Sequence, residues 1–499
     1  MPEFPQLTAD EAAATIQNGQ TIGFSGFTAA GSVKAVPLAI AARARAFHQR
    51  DEPFQINVIT GASTGPSLDG ALARENAIHW RTPYQSDPDL RKSINDGHTM
   101  FFDMHLSQLP AQIRQGVLGP IDVAIVEAAD VAKDGSVVLT TSVGATPTFL
   151  DHAKRVIIEL NRYHPPELRG IHDIYQPAAP PFTQPIPLLT ASDRIGSEVV
   201  RVDPRKIIGI VETNLPNESK TFTPASDITG RIGAHVADFL AAEMRRGLIP
   251  RDFLPLQSGV GNTANSVLAA LGGHPAIPAF TLYSEVLQDA VIELIDQEQC
   301  RFASATSLTL SQPLLQQVYR NLDHYRSRFV LRPQEITNHP EIIRRLGIIA
   351  VNTAIEVDVF GNVNSTHVLG QKLMNGIGGS GDFTRNAYLS IFVCPSTAKD
   401  SCITTIVPAC SHMDHSEHSV HVVVTEHGVA DLRGKDPRQR AEAIIRHCAD
   451  PQYREALWEY FHLTRSGHLP QSLEYSYSFH KSFLESGDMR HVHYPRQSP

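Results

Sequence analysis

Cysteine is scarce in this chain: five in 499 residues, none in a Cys-x-x-Cys pair. Cys300, Cys394, Cys402, Cys410 and Cys448 are an odd number, so they read as reduced thiols and not as a disulfide framework. Long apolar runs are missing too. No stretch approaches the roughly 18 uninterrupted apolar residues of a membrane span. There is no basic excess: 43 Lys and Arg face 52 Asp and Glu, for a formal net charge of −9. That balance argues against a general nucleic-acid binder. It leaves room for an anionic ligand, which responds to the local field and not to the sum. The opening stretch, MPEFPQLTADEAAATIQNG, lacks the basic flank and apolar core of a secretory signal and the arginines of a mitochondrial presequence. A cytoplasmic protein is the expectation.

Several catalytic signatures are absent as well. There is no Gly-x-Ser-x-Gly elbow, so a serine hydrolase has no anchor. There is no His-Glu-x-x-His. Ser258-Gly259-Val260-Gly261-Asn262-Thr263-Ala264-Asn265 fails the dinucleotide pattern, because Thr263 and Ala264 do not complete Gly-x-Gly-x-x-Gly.

The length and the 42% apolar content fit a globular protein of two or three domains. Short β-branched runs alternate with helix-like stretches, the mark of layered α/β domains. Gln20–Phe24, Gln55–Thr60, Asp122–Glu127, Arg155–Leu160 and Ile207–Val211 read as strands, and Ser32–Gln49 as a helix. Glu212–Asp227 is polar and turn-rich and reads as a linker. Ile228–Arg246 then reads as an amphipathic helix, and Ala279–Tyr283, Ile348–Asn352 and Leu389–Val393 as further strands. Two α/β domains are therefore predicted, 1–215 and 228–499, joined by a linker at 216–227.

Four segments of the second half stand out. The small residues 258–265 before an apolar helix allow close backbone approach to a ligand, with free N–H groups at the helix start. A lone Gly-x-Gly is more often simply a tight turn. In Phe280-Thr281-Leu282-Tyr283-Ser284-Glu285-Val286, Glu285 sits at the carboxyl end of a strand, where open α/β sheets bind ligands. The alternative for Glu285 is an acid in the first turn of a helix, favoured by the macrodipole. Asn375-Gly376-Ile377-Gly378-Gly379-Ser380-Gly381-Asp382-Phe383 has four glycines within 376–381, too many for core packing. It makes either an anion-facing loop or a surface hairpin. Lys399, in Pro395-Ser396-Thr397-Ala398-Lys399, follows a strand and reads as a phosphate contact or a solvated charge. The histidines of 410–421 (His412, His415, His418, His421) imitate a metal cluster, with His415 and His418 placed to share a helix face. A β-run at Val420–Thr425 opposes that reading.

These segments resemble the acetyl-CoA hydrolase/transferase family of class I CoA-transferases. The similarity runs along nearly the whole chain. Its early blocks are Thr60–Gly65, Pro83–Pro88, Asp103–Ser107 and Thr141–Gly144. Its later blocks are Pro255–Asn262, Tyr283–Val286, Asn338–Glu341, Gly361–His367, 375–383, Pro395–Lys399 and Glu426–Gly434. The resemblance implies two tandem open-sheet α/β domains of the class I CoA-transferase type, the active site between them and the catalytic glutamate in the second. It implies Glu285 as that glutamate, and Val260 and Asn338 as oxyanion-hole positions. Val260, Gly261, Asn262, Thr263, Ala264, Asn375, Gly379 and Lys399 match CoA-contacting positions. It further implies a homodimer that acts on acyl-CoA, CoA and short-chain carboxylates, with no metal, no nucleic acid and no membrane.

The chemistry agrees with the resemblance. Moving CoA between two carboxylates requires a shielded carboxylate nucleophile and oxyanion donors, and neither metal nor redox cofactor. The expected reaction transfers CoA between an acyl-CoA such as succinyl-CoA and a short acid such as acetate, through a glutamyl-CoA thioester. An acyl-CoA hydrolase on the same scaffold, a non-catalytic acyl-CoA sensor, and a metal-dependent hydrolase using the 412–421 histidines are the competing readings.

Overall fold

The computed structural model describes residues 4–219, 226–463 and 467–494. Of the expected linker, residues 220–225 lie outside the described residues. The expected strands form with ends shifted by a few residues: Thr21–Phe24, Ile56–Thr60, Val123–Val131, Arg155–Asn161, Ile207–Thr213, Phe280–Tyr283, Ile349–Thr353 and Leu389–Val393. The helix expected at 32–49 spans Ala35–His48, and the one expected at 228–246 spans Asp227–Arg245. Ser226 caps the latter, its side chain accepting from the Thr229 N–H while Thr229 returns a bond to the cap backbone.

The fold is α/β, and the chain forms two compact units. One holds the described part of Met1–Thr221 with Thr281–Leu346 and Asn375–Asp382. The other holds the described part of Phe222–Phe280, Gly347–Met374 and Phe383–Pro499. The units are thus not the two contiguous halves expected from the linker, and Glu285 lies in the unit that contains the N-terminal sheet. The physical reason is a set of long-range ties. Arg332 and Asp173, both buried, form an ion pair. Ser142 bridges Ser307, Gly144 bridges Pro333 and His172 bridges Leu331 across backbone pairs.

In the first unit, seven parallel strands run in the order Met100–Phe101, Ile78–Thr82, Ile56–Thr60, Thr21–Phe24, Val123–Val131, Arg155–Asn161 and Ile207–Thr213. Ser136–Leu139 branches off Val123–Val131 antiparallel, and Val200–Arg201 pairs antiparallel with Ser136–Leu139 in turn. Alternation decides which residue faces which layer. Ile22, Phe24, Val58 and Val123 enter a core with Val36, Ile40 and Ala44 of the helix Ala35–His48. Gly23 faces the other side, where an added Cβ would stand 3.0 Å from the Phe149 ring. Helices on both faces explain why these strands read as continuous apolar runs. Cys300–Ala305 and Phe329–Leu331 pair in parallel in the later part of this unit, as do Val286–Leu287 and Ser307–Leu308.

In the second unit, Leu256–Ser258, Ile349–Thr353, Leu389–Val393 and Val422–Thr425 are parallel neighbours in that order, and Gly428–Asp431 closes the edge antiparallel. Its core gathers Phe392, Val423, Ile444, Tyr453 and Tyr460. Among the described residues no helix is long and apolar enough to cross a membrane.

Candidate active site

Glu285 is not in a helical turn. It stands between the strands Phe280–Tyr283 and Val286–Leu287, and the helix begins only at Asp289. The Thr306 and Ser307 N–H groups donate to its carbonyl oxygen at 2.9 and 3.0 Å, which fixes the backbone. Its side chain is partly exposed. Asn338 Nδ2 donates to Glu285 Oε1 at 2.8 Å. The glycine loop closes in from the other side: a Cβ on Gly379 would fall 1.9 Å from Glu285 Oε1 and 2.2 Å from Asn338 Nδ2. With Glu285 and Asn338 placed as they are, only a residue without a side chain fits there, so this loop is not a free surface hairpin.

The short helix Gln334–Thr337 positions Asn338. Gln334 donates its backbone N–H to the Gly144 carbonyl, and its side-chain amide to the Leu106 carbonyl at 3.0 Å. The Tyr283 hydroxyl donates to the Ile336 carbonyl at 2.6 Å. Arg114 Nη1 holds Glu335 Oε1 at 3.2 Å. The glycine loop is anchored in turn by Asp103, which accepts from the Ile377 N–H. Asn375 Nδ2 donates to the Tyr84 hydroxyl at 3.2 Å. Phe27, Ala62, Leu106 and Val286 form a small apolar cluster with Tyr84 packed against it.

Burial dominates the electrostatics. Desolvation pushes the Glu285 carboxyl up to about 7, opposed by the Asn338 hydrogen bond. Desolvation likewise pushes Asp382 up to about 7, opposed by two bonds from Ser107 and reinforced by the Glu285 charge. Burial raises the Tyr84 phenol as well. The nucleophilic form of Glu285 is the carboxylate, which is lost as pH falls through about 7. We expect kcat/KM in the free enzyme to fall about tenfold per pH unit below neutrality. A pH profile flat down to pH 5 would contradict this.

The structure brings Glu285, Asn338, Asn375 and Gly379 together in the first unit. The remaining sequence candidates belong to the second. Val260 is 46% exposed, in the turn after the strand Leu256–Ser258. Gly261 takes φ +125°, and the helix starts at Asn262, earlier than the sequence suggested, so Asn262, Thr263 and Ala264 form its first turn. Lys399 is exposed at φ +52°, with Nζ 4.7 Å from the Phe483 ring centroid.

The histidine segment does not fold as a helix, so His415 and His418 share no helical face. His415 is buried in a backbone bridge to Val363, its ring 4.9 Å from that of Phe392. His421 Nδ1 faces the Ser390 N–H at 3.2 Å, and His412 packs on His367 with centroids 4.1 Å apart. Among the described residues no group of three or more His, Cys, Asp or Glu is placed to hold a metal ion.

Sequence reasoning did not single out Asp382, Ser107, Tyr84 or Thr337. Each lies inside or beside a motif block, and Asp382 closes the four-glycine loop, which was the available signal.

Comparison with known proteins gives the family. The family model for the acetyl-CoA hydrolase/transferase N-terminal domain matches residues 2–212, and that for the acetyl-CoA hydrolase/transferase C-terminal domain matches 315–461. The chain belongs to the acetyl-CoA hydrolase/transferase family. A propanoyl-CoA:succinate CoA transferase of Escherichia coli (strain K12) is 50% identical, covering 98% of this chain and 99% of that one. A succinyl-CoA:acetate CoA-transferase of Clostridium kluyveri is 44% identical, covering 97% and 90%. An acetyl-CoA hydrolase of Schizosaccharomyces pombe is 40% identical, covering 96% and 94%. Among solved structures, RipA from Yersinia pestis overlays with a TM-score of 0.70 at 23% identity, covering 91% and 96%, a likeness of fold. The protein is an enzyme of the acetyl-CoA hydrolase/transferase family.

Proposed function

We propose that this enzyme transfers CoA between an acyl-CoA, succinyl-CoA or a close analogue, and a short carboxylate such as acetate. The observation that carries the reading is Glu285: a part-buried carboxylate held by one amide N–H and closely faced by Gly379, where any side chain would displace it. A Glu285 oxygen attacks the thioester carbonyl carbon, the C–S bond breaks, and CoA thiolate leaves a mixed anhydride. The thiolate attacks the Glu285 carbonyl carbon. The anhydride C–O bond breaks, the first acid departs as its carboxylate, and a glutamyl-CoA thioester remains. The acceptor carboxylate runs both steps in reverse. Each addition passes a tetrahedral oxyanion, for which the Asn338 N–H is a preorganised donor, and removing one such donor costs on the order of 100- to 1,000-fold in rate. The Val260 position as a second donor, and Val260–Ala264, Asn375, Gly379 and Lys399 as CoA contacts, are proposed on the family resemblance. So are a homodimer, cytoplasmic location and a reaction independent of metal.

Net hydrolysis is the second reading, because acetyl-CoA hydrolases near 40% identity stand beside the transferases among the relatives. The same Glu285 thioester would then be attacked by water. Assay of acetyl-CoA turnover with and without succinate separates the two. The transferase reading expects CoA to appear on succinate, with free CoA release slower by at least about tenfold. Turnover indifferent to the acceptor acid would overturn it in favour of the hydrolase. Binding of acyl-CoA with no turnover under either condition would leave a sensor.

A further inference from the structure

A second carboxylate stands one amide away from Glu285. Asp382 is 4% exposed and lies in the first turn of the helix Ser380–Asn386. Its Oδ1 accepts from Ser107 Oγ at 2.6 Å. Its Oδ2 accepts from the Ser107 N–H at 3.1 Å and lies 3.4 Å from Asn338 Nδ2. The same Nδ2 donates to Glu285 Oε1 at 2.8 Å. On the far side of the amide, the Thr337 hydroxyl donates to Asn338 Oδ1 at 2.9 Å.

These contacts leave one orientation for the Asn338 amide. A primary amide has two N–H donors on nitrogen and only acceptors on oxygen. With carboxylate oxygens at two positions on one side and a hydroxyl donor on the other, nitrogen must face Glu285 and Asp382. Turning the amide over would set its oxygen against both acids. The backbone of Asn338 is fixed separately, through Gln334, Glu335 and Ile336. What Asp382 adds is the rotation of the side chain. Ser107 in turn fixes Asp382 through two donors from a single residue.

We propose that Asp382, held by Ser107, is a positioning residue for the transfer reaction: it engages one N–H of Asn338 so that the other stays aimed at the reacting oxygen at Glu285. The assignment rests on the reading of Glu285 as the nucleophile. It gives the acceptor oxygen of Asp382 a specific consequence. When Glu285 becomes an anhydride or thioester it loses its charge and much of its hold on the Asn338 amide, and Asp382 then keeps the donor in place for the second half-reaction. Without it the amide is free to turn during the lifetime of the intermediate, when a misplaced donor costs most.

The test is a double-mutant cycle in the full-length enzyme, with kcat and KM for CoA exchange between succinyl-CoA and acetate as readouts. Asp382→Ala removes the acceptor and is expected to lower kcat about 10- to 100-fold with KM within about twofold. Asp382→Asn is expected to recover most of the loss, because its Oδ1 can still accept from Ser107 N–H and Asn338 while its Nδ2 donates to Ser107 Oγ. In an Asn338→Ala background, Asp382→Ala is expected to cost less than about twofold, since the group it positions is gone. An Asp382→Ala enzyme with wild-type kcat overturns the proposal. So does an equal loss with and without Asn338, which would make Asp382 a purely structural acid. Should Asp382→Ala fail to fold, Ser107→Ala reads the same coupling: a several-fold loss in the wild type, little in Asn338→Ala, and equal losses overturn it. The underlying reading fails differently, through an enzyme with Glu285→Ala that still exchanges CoA.

Discussion

Replacing Glu285 by alanine lowers CoA exchange by at least about 10,000-fold while acyl-CoA binding stays measurable. The size of the effect follows from covalent participation. Without the carboxylate there is no anhydride and no enzyme thioester, and the residual rate is what binding and the Asn338 donor supply alone. The fold is expected to survive. Glu285 makes its structural contacts through its carbonyl, which accepts from Thr306 and Ser307 whatever the side chain. Its side chain adds one hydrogen bond, to Asn338, so the alanine variant is expected to melt within a few degrees of the wild type. Steady-state exchange, equilibrium binding of acyl-CoA and a thermal melt check the three parts. Exchange above about 1% of the wild-type rate would remove Glu285 from the nucleophile role.

Gly379→Ala is the second large effect, and it comes from one methyl group. The added carbon would lie 1.9 Å from Glu285 Oε1 and 2.4 Å from Glu285 Cδ, well inside contact distance. The obstructing atoms are the ends of two side chains, not backbone, so the protein accommodates the methyl by swinging Glu285 and Asn338 aside. The cost therefore falls on the reaction and not on the fold. A displacement of about 1 Å in a reacting group costs on the order of 100-fold, and that is the expected fall in kcat, with a melting temperature close to wild type. Gly247→Ala is the control: that position sits at φ +75° with open space around it, so any cost there is conformational and leaves exchange intact. Loss of exchange in Gly379→Ala only in proportion to loss of folded protein would contradict the account.

Much of this was legible in the sequence, and the boundary of legibility is physical. Strands such as Leu389–Val393 and Arg155–Asn161 were visible because burial on both faces leaves an unbroken apolar run. The helix Asp227–Arg245 was visible through Ile232, Val236 and Leu240 at helical spacing. Glu285 was legible as an acid at a strand end, but its neighbours taken alone favoured a helical first turn. The pairing of Val286–Leu287 with Ser307–Leu308 decides that point, and it is a contact between positions about 20 residues apart in sequence. The make-up of the two compact units was not legible for the same reason. A polar stretch marks where the chain changes unit once, whereas the return of 281–346 and 375–382 to the first unit depends on ties such as Arg332 to Asp173. Asp382 escaped notice because nothing local distinguishes it from a solvated first-turn acid. Its role appears only when Ser107 and Asn338, 275 and 44 residues away, meet on its two oxygens.

Mass spectrometry of the intact enzyme and its peptides tests Glu285 as the nucleophile most directly. The enzyme would be incubated with succinyl-CoA at low temperature, without acceptor acid. A CoA adduct is expected on the peptide that contains Glu285, lost on addition of acetate with formation of acetyl-CoA. No adduct under conditions of proven turnover, or an adduct on a peptide lacking Glu285, would contradict it.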